Sequence, residues 1–310
     1  MIKKIPLPIA GVMLGFAALG NLLQSYSEPI RLVCGLICAI LGLLLIFKCI
    51  LYPSMIKEDM KNPIMASVSG TFPMALMLLS TYIKPYIGTS AIYIWYFAIA
   101  LHIALIIYFT KQFIFNFDIK KVFTSYYIVY VGIAVASVSA PVFEKTNIGT
   151  MTFWFGFISC LILLVVVTNR YIKYKEVPPP AQPLFCIYAA PVSLCLAGYI
   201  QSVQPKSVAM IGFLAVLSLV IYIVVLFQLP KYLKMPFFPS YAAFTFPFVI
   251  SAIGMKMTMA CLGNMGYSIP FISYLVILQT LIATILVVYT LVRFLMFIIP
   301  VEKKSKLTTE

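Results

Sequence analysis

Lys256 is the only basic residue that falls well inside a predicted membrane span, and no Asp or Glu lies deep within any span. Holding a charge at membrane depth is costly, so Lys256 is a functional candidate, here as an attractor of anions. A second reading stays open: the residue stands about six positions from the expected outer end of its span, and its flexible stem could carry the amine to the interface. With no buried carboxylate to hold a cation or relay protons, the balance favours anions. His102, the sole histidine, lies near the middle of a span. It is either the titrating group of a proton-coupled carrier or an imidazole bonded between helices. An enzyme would need paired carboxylates, a His–Glu metal set, or a nucleophile with its base. The sequence offers none of these. Its seven cysteines lie in or beside spans, with no metal-like grouping beyond Cys34 and Cys38. No catalytic residue, metal ligand or cofactor is expected.

The elements that must position these side chains are marked by five breaks inside apolar stretches. Pro8, Pro73, Gly132, Pro191 and Pro247 follow one another at intervals of 65, 59, 59 and 56 residues. One crossing of a bilayer takes about 20 apolar residues, so a period near sixty that holds two apolar runs reads as a repeated helical hairpin. Five hairpins, approximately 1–55, 60–112, 120–172, 182–232 and 238–300, give ten crossings in a single transmembrane domain, 1–310, with a tail at 301–310. Proline removes a backbone donor, and lipid tolerates a freed carbonyl only where it faces protein or a water-filled cavity. A break repeated in every hairpin therefore points to a central pathway.

Composition fixes the class. Hydrophobic residues make up 63% of the chain and charged residues 10%, with a mean hydropathy of +1.06. This is an all-α polytopic membrane protein, not a soluble domain. The net charge of +14 does not mark a nucleic-acid partner, because the basic residues flank the apolar runs. They divide 17 to 4 between alternate loops: the larger set includes Lys3, Lys57, Lys120, Lys175, Lys234 and the tail, and the smaller is Arg31, Lys84, Lys145 and Lys206. The positive-inside rule then places both termini in the cytoplasm. Even-numbered spans are aliphatic, as in Leu161 to Val167, and suit an outer ring facing lipid. Odd-numbered spans carry the small, hydroxylic and broken stretches, including Gly11, Gly15 and Thr245 to Ser251, and suit five inner helices around an axis.

Pro6-Leu7-Pro8, Leu14-Gly15-Phe16, Asn62-Pro63-Ile64, Phe72-Pro73 and above all Phe244-Thr245-Phe246-Pro247 carry a resemblance across essentially the whole chain. They resemble the tellurite-resistance/dicarboxylate transporter family, which includes the slow-type anion channels of plant guard cells. The resemblance implies a quasi-fivefold bundle of ten helices in a bacterial inner membrane, assembled as a homotrimer, with Gly11, Gly15, Pro73, Gly132, Pro191 and Pro247 kinking or lining a central pore. It also implies an aromatic plug on the ninth helix, which by motif position is Phe246. One departure is Met13, where relatives often carry a proline, so the first kink is in question.

A ring across a narrow pore excludes water, and an ion stripped of hydration there meets a large barrier. Phe72 also precedes a proline and is a second candidate constriction. Lys256 lies ten positions beyond Phe246, roughly 15 Å along an α-helix and about 80° away in azimuth. The expected function is a gated small-anion channel. A carrier or exporter of dicarboxylate, sulfite or a related oxyanion on the same scaffold is the alternative, since both need the same pore.

Overall fold

The computed structural model describes residues 2–299, so the expected tail at 301–310 lies outside them. All regular structure among the described residues is helical. The first long helix, α1 (Ile9–Leu23), starts behind Pro8, where a missing backbone donor costs nothing because the first turn has no acceptor for it. It is apolar on every side and almost wholly buried. By contrast, α2 (Glu28–Leu51) buries only one stripe, Arg31, Cys34, Gly35, Cys38, Leu41, Gly42, Leu45 and Lys48, at the three-to-four spacing of a single helical face. Its other side exposes Leu36, Leu43, Phe47 and Ile50.

After the short α3 (Pro53–Asp59), Asn62 caps α4 (Pro63–Ser69), its Oδ1 accepting from the amides of Ile64 and Met65 at 2.9 and 3.3 Å. Winding is interrupted at Gly70 and resumes as α5 (Thr71–Ile87). Gly88 ends α5 with φ of +63°, a conformation glycine adopts without steric cost. The chain then turns into α6 (Ala91–Phe109), which packs along α5. The next stretch is the most broken: α7 (Tyr126–Tyr130), a 3-10 turn over Gly132–Ala134, α8 (Val135–Ser139), and a 3-10 turn over Ala140–Phe143. An unbroken helix, α9 (Thr146–Lys173), follows.

Two further breaks share one construction. A 3-10 segment, Pro179–Ala189, leads into α10 (Ala190–Ser202), and another, Pro239–Phe244, leads into α12 (Phe246–Asn264), with α11 (Val208–Leu233) between them. In both cases a proline, Pro191 or Pro247, occupies the first turn of the α-helix, where it needs no donor. The last helix, α13 (Pro270–Ile298), is long and apolar.

Seven helical stretches among the described residues are long and apolar enough to cross a membrane, and Ile9–Leu23 and Gly132–Phe143 are shorter apolar helices beside them. The chain is a multi-pass membrane protein. Its contacts run in a cycle: α1 packs on α5, α5 on α8, α8 on α10, α10 on α12, and α12 back on α1. Each member also packs on the helix that follows it, namely α2, α6, α9, α11 or α13.

Hydroxyls within the cycle mostly donate to their own helix, as Ser80 does to Met77 and Thr258 to Gly254. A few cross between helices. Ser251 Oγ donates to the Ala189 carbonyl at 3.0 Å and lies 3.1 Å from Ser193 Oγ, tying α12 to the break before α10.

Candidate functional site

Two cavities lie along the axis of this cycle. The first, about 390 Å³, is bounded by all five broken segments: Pro8, Gly11 and Leu14; Val68, Thr71 and Met74; Val131 and Gly132; Ala190, Pro191 and Leu194; and Ala242, Phe246 and Pro247. Its wall is almost wholly apolar. Of its few polar side chains, the Thr71 hydroxyl donates to Val68, the Tyr127 hydroxyl to Leu163 at 3.2 Å and Asn62 caps α4, while the Ser240 hydroxyl has no hydrogen-bond partner among the described residues.

The second cavity, about 550 Å³, is the more polar of the two. Asn21, Gln24, Arg31, Thr81, Ser139, Gln201 and Lys256 contribute to its wall. Among the described residues, Phe246 and Leu194 alone line both cavities.

Local chemistry places Phe246 at this boundary. Pro239 starts a 3-10 turn that ends at Phe244, and Thr245, at φ −101° and ψ −95°, breaks the winding before α12 begins. The Thr245 hydroxyl shares its one proton between two carbonyls, that of Ala242 just before the break at 2.7 Å and that of Gly11 on α1 at 2.8 Å. This contact requires a glycine on α1, because a Cβ added to Gly15 would stand 2.5 Å from the Thr245 Cβ. Phe246 follows as the first residue of α12 and is 6% exposed.

The other residues singled out in the sequence divide. Gly11, Gly132, Pro191 and Pro247 line the apolar cavity, and Lys256 lines the polar one. Gly15 and Pro73 are buried in helix packing and line neither. Phe72 is half-buried and also lines neither, because Thr71 and Met74, three apart on α5, take the cavity face and leave Phe72 about 100° round the helix. The Lys256 ammonium donates to the Leu22 carbonyl at 2.7 Å and to Ser25 Oγ at 2.6 Å, and sits 4.9 Å from the centre of the Tyr26 ring. It therefore holds the end of α1 at the cavity rim. His102 bonds between helices, its Nε2 lying 2.9 Å from the Val129 carbonyl beside the break at Gly132, and it lines neither cavity. Among the described residues no group of three or more His, Cys, Asp or Glu side chains comes together.

Two residues of the site carry no mark in the sequence. Leu194 is an ordinary leucine until the cycle closes. Arg31 has the spacing of a loop charge, yet it is 7% exposed and lines the polar cavity.

Two cavities end to end, both walled by broken helices and parted by two apolar side chains, have the form of an interrupted passage. A family model described as SLAC1, voltage-dependent anion channel, matches residues 4–295. The chain belongs to the SLAC1 family. A search of curated proteins found no match. SLAC1-family proteins are channels or transporters and not enzymes, and the tellurite-resistance/dicarboxylate transporter resemblance in the sequence is to the same family.

Proposed function

We propose that this protein is a gated small-anion channel of a bacterial inner membrane, and that Phe246, with Leu194, is the plug between its two vestibules. The observation that carries the reading is that these two side chains bound both cavities. The cavity on one side is apolar and the other holds Arg31 and Lys256, so an anion gathered on the polar side faces a dry barrier at the ring.

The cycle of α1, α5, α8, α10 and α12, each backed by the following helix, is read as five hairpins around one pore. Counting the folded stretch 63–114 as two crossings, and adding the two shorter helices, gives ten crossings. Both termini are then cytoplasmic, the polar cavity opens outward, and three such pores assemble as a homotrimer. Among the described residues no Asp or Glu lines either cavity, which supports anions over cations.

The test is a size series at one position, read as chloride efflux from proteoliposomes. Phe246→Ala should leak strongly, Phe246→Leu less, and Phe246→Trp should stay as closed as the parent. Flux independent of side-chain size at 246 would remove the plug from the account.

A further inference from the structure

Arg31 is built into the wall of the polar cavity with unusual completeness. Its guanidinium lies 4.3 Å from the centre of the Tyr82 ring. That ring is itself locked: its hydroxyl donates to the Ala17 carbonyl at 2.6 Å, and a Cβ on Gly35 would stand 2.6 Å from its edge. Nε donates to Asn21 Oδ1 at 3.3 Å and Nη2 to the Thr81 carbonyl at 3.4 Å. Nη1 donates to Glu28 Oε1 at 2.6 Å.

The two halves of that ion pair are unequal. The Arg31 side chain is 9% exposed and the Glu28 side chain 48%. Glu58 and Lys61 form a pair of the same spacing at 2.7 Å, but with 72% and 62% exposed, and that is an ordinary surface contact. A buried guanidinium cannot lose its proton and needs an anionic partner. Glu28 supplies one from the accessible side, on a side chain free to rotate into water. Lys256 commits two of its three N–H donors to Leu22 and Ser25, and its ammonium is a point charge without the planar fork of a guanidinium.

We infer that Arg31 is an anion-binding residue of the polar cavity, suited to carboxylates and other planar oxyanions, and that Glu28 is a tethered counter-ion which the incoming anion displaces. The class follows from the occupant: a carboxylate oxygen fills the position now, and a guanidinium fork matches planar two-oxygen anions. A tethered group competes at high effective concentration, so the free ligand binds weakly until the tether is neutralised. The inference rests on the channel reading for its effect on flux, but binding at Arg31 is an equilibrium property that stands apart from it.

The test is saturation-transfer NMR on the purified full-length protein with acetate as the probe and chloride balancing ionic strength. Wild-type protein should show weak saturable binding. Glu28→Gln should tighten it about tenfold, Arg31→Lys should weaken it at least tenfold despite keeping the charge, and Glu58→Gln should change nothing. Unchanged or weaker binding in Glu28→Gln overturns the inference, as does full acetate affinity in Arg31→Lys. If Arg31→Lys fails to fold, the Glu28→Gln titration decides alone. A Phe246→Ala protein that stays closed would end the plug reading and leave this titration untouched.

Discussion

The hydroxyl of Thr245 donates to the carbonyl of Gly11 at 2.8 Å, fastening the break before Phe246 to α1, the neighbouring helix of the cycle. The bond joins residues at opposite ends of the chain, and it fixes where α12 starts. The position of the Phe246 ring follows from it.

Thr245→Val keeps the shape and removes the donor, leaving the Gly11 and Ala242 carbonyls without this partner. The expected cost is about 1–3 kcal/mol of stability. Because the break then loses its tether, basal chloride flux should rise above the parent. Thermal unfolding and efflux on one preparation check both, and a destabilised protein with parental flux would detach Thr245 from the plug.

Gly15→Ala should be poorly tolerated for the complementary reason. The added methyl meets the Thr245 Cβ and forces α1 and α12 apart, at a cost of roughly 1–3 kcal/mol. Thermal unfolding measures this, and an unchanged melting temperature would mean that the helices separate freely.

Lys256→Gln removes a charge from the rim of the polar cavity. The lost attraction is on the order of 1 kcal/mol for an ion a few ångströms away in a wet pore, so flux in an open variant should fall several-fold at low anion concentration and recover at high concentration. Equal flux at every concentration would assign Lys256 to holding Leu22 and Ser25 alone.

Orientation is tested by single cysteines in a cysteine-free protein. Those replacing Lys57, Lys120, Lys175 and Lys234 should resist a membrane-impermeant reagent in intact cells, and those replacing Lys84, Lys145 and Lys206 should react. The reverse pattern would turn the polar cavity toward the cytoplasm.

Breaks were legible in the sequence where the covalent chemistry of proline dictates them. Pro191 and Pro247 sit in the first turn of α10 and α12 directly after 3-10 segments, and Pro8 precedes α1. At the third span the interruption falls instead at Gly70, three residues before Pro73, because a proline in the first helical turn needs no donor and the break moves ahead of it. Lys256 was legible as a charge out of place. Arg31 was not, because its burial depends on a tyrosine far along the chain and on glycines that admit that ring. Leu194 was hidden for a related reason, since only closure of the cycle brings it to the boundary between cavities.

The central claim is that one ring holds the passage shut, and a planar-bilayer recording of purified Phe246→Ala alongside its thermal unfolding tests it most directly. The account predicts a melting temperature near that of the parent, large steady currents, and a reversal potential set by the anion gradient. Were the ring only core packing, its loss would cost about 3–5 kcal/mol, and the melting temperature would fall with no new current. A well-folded Phe246→Ala protein as silent as the parent would contradict the account.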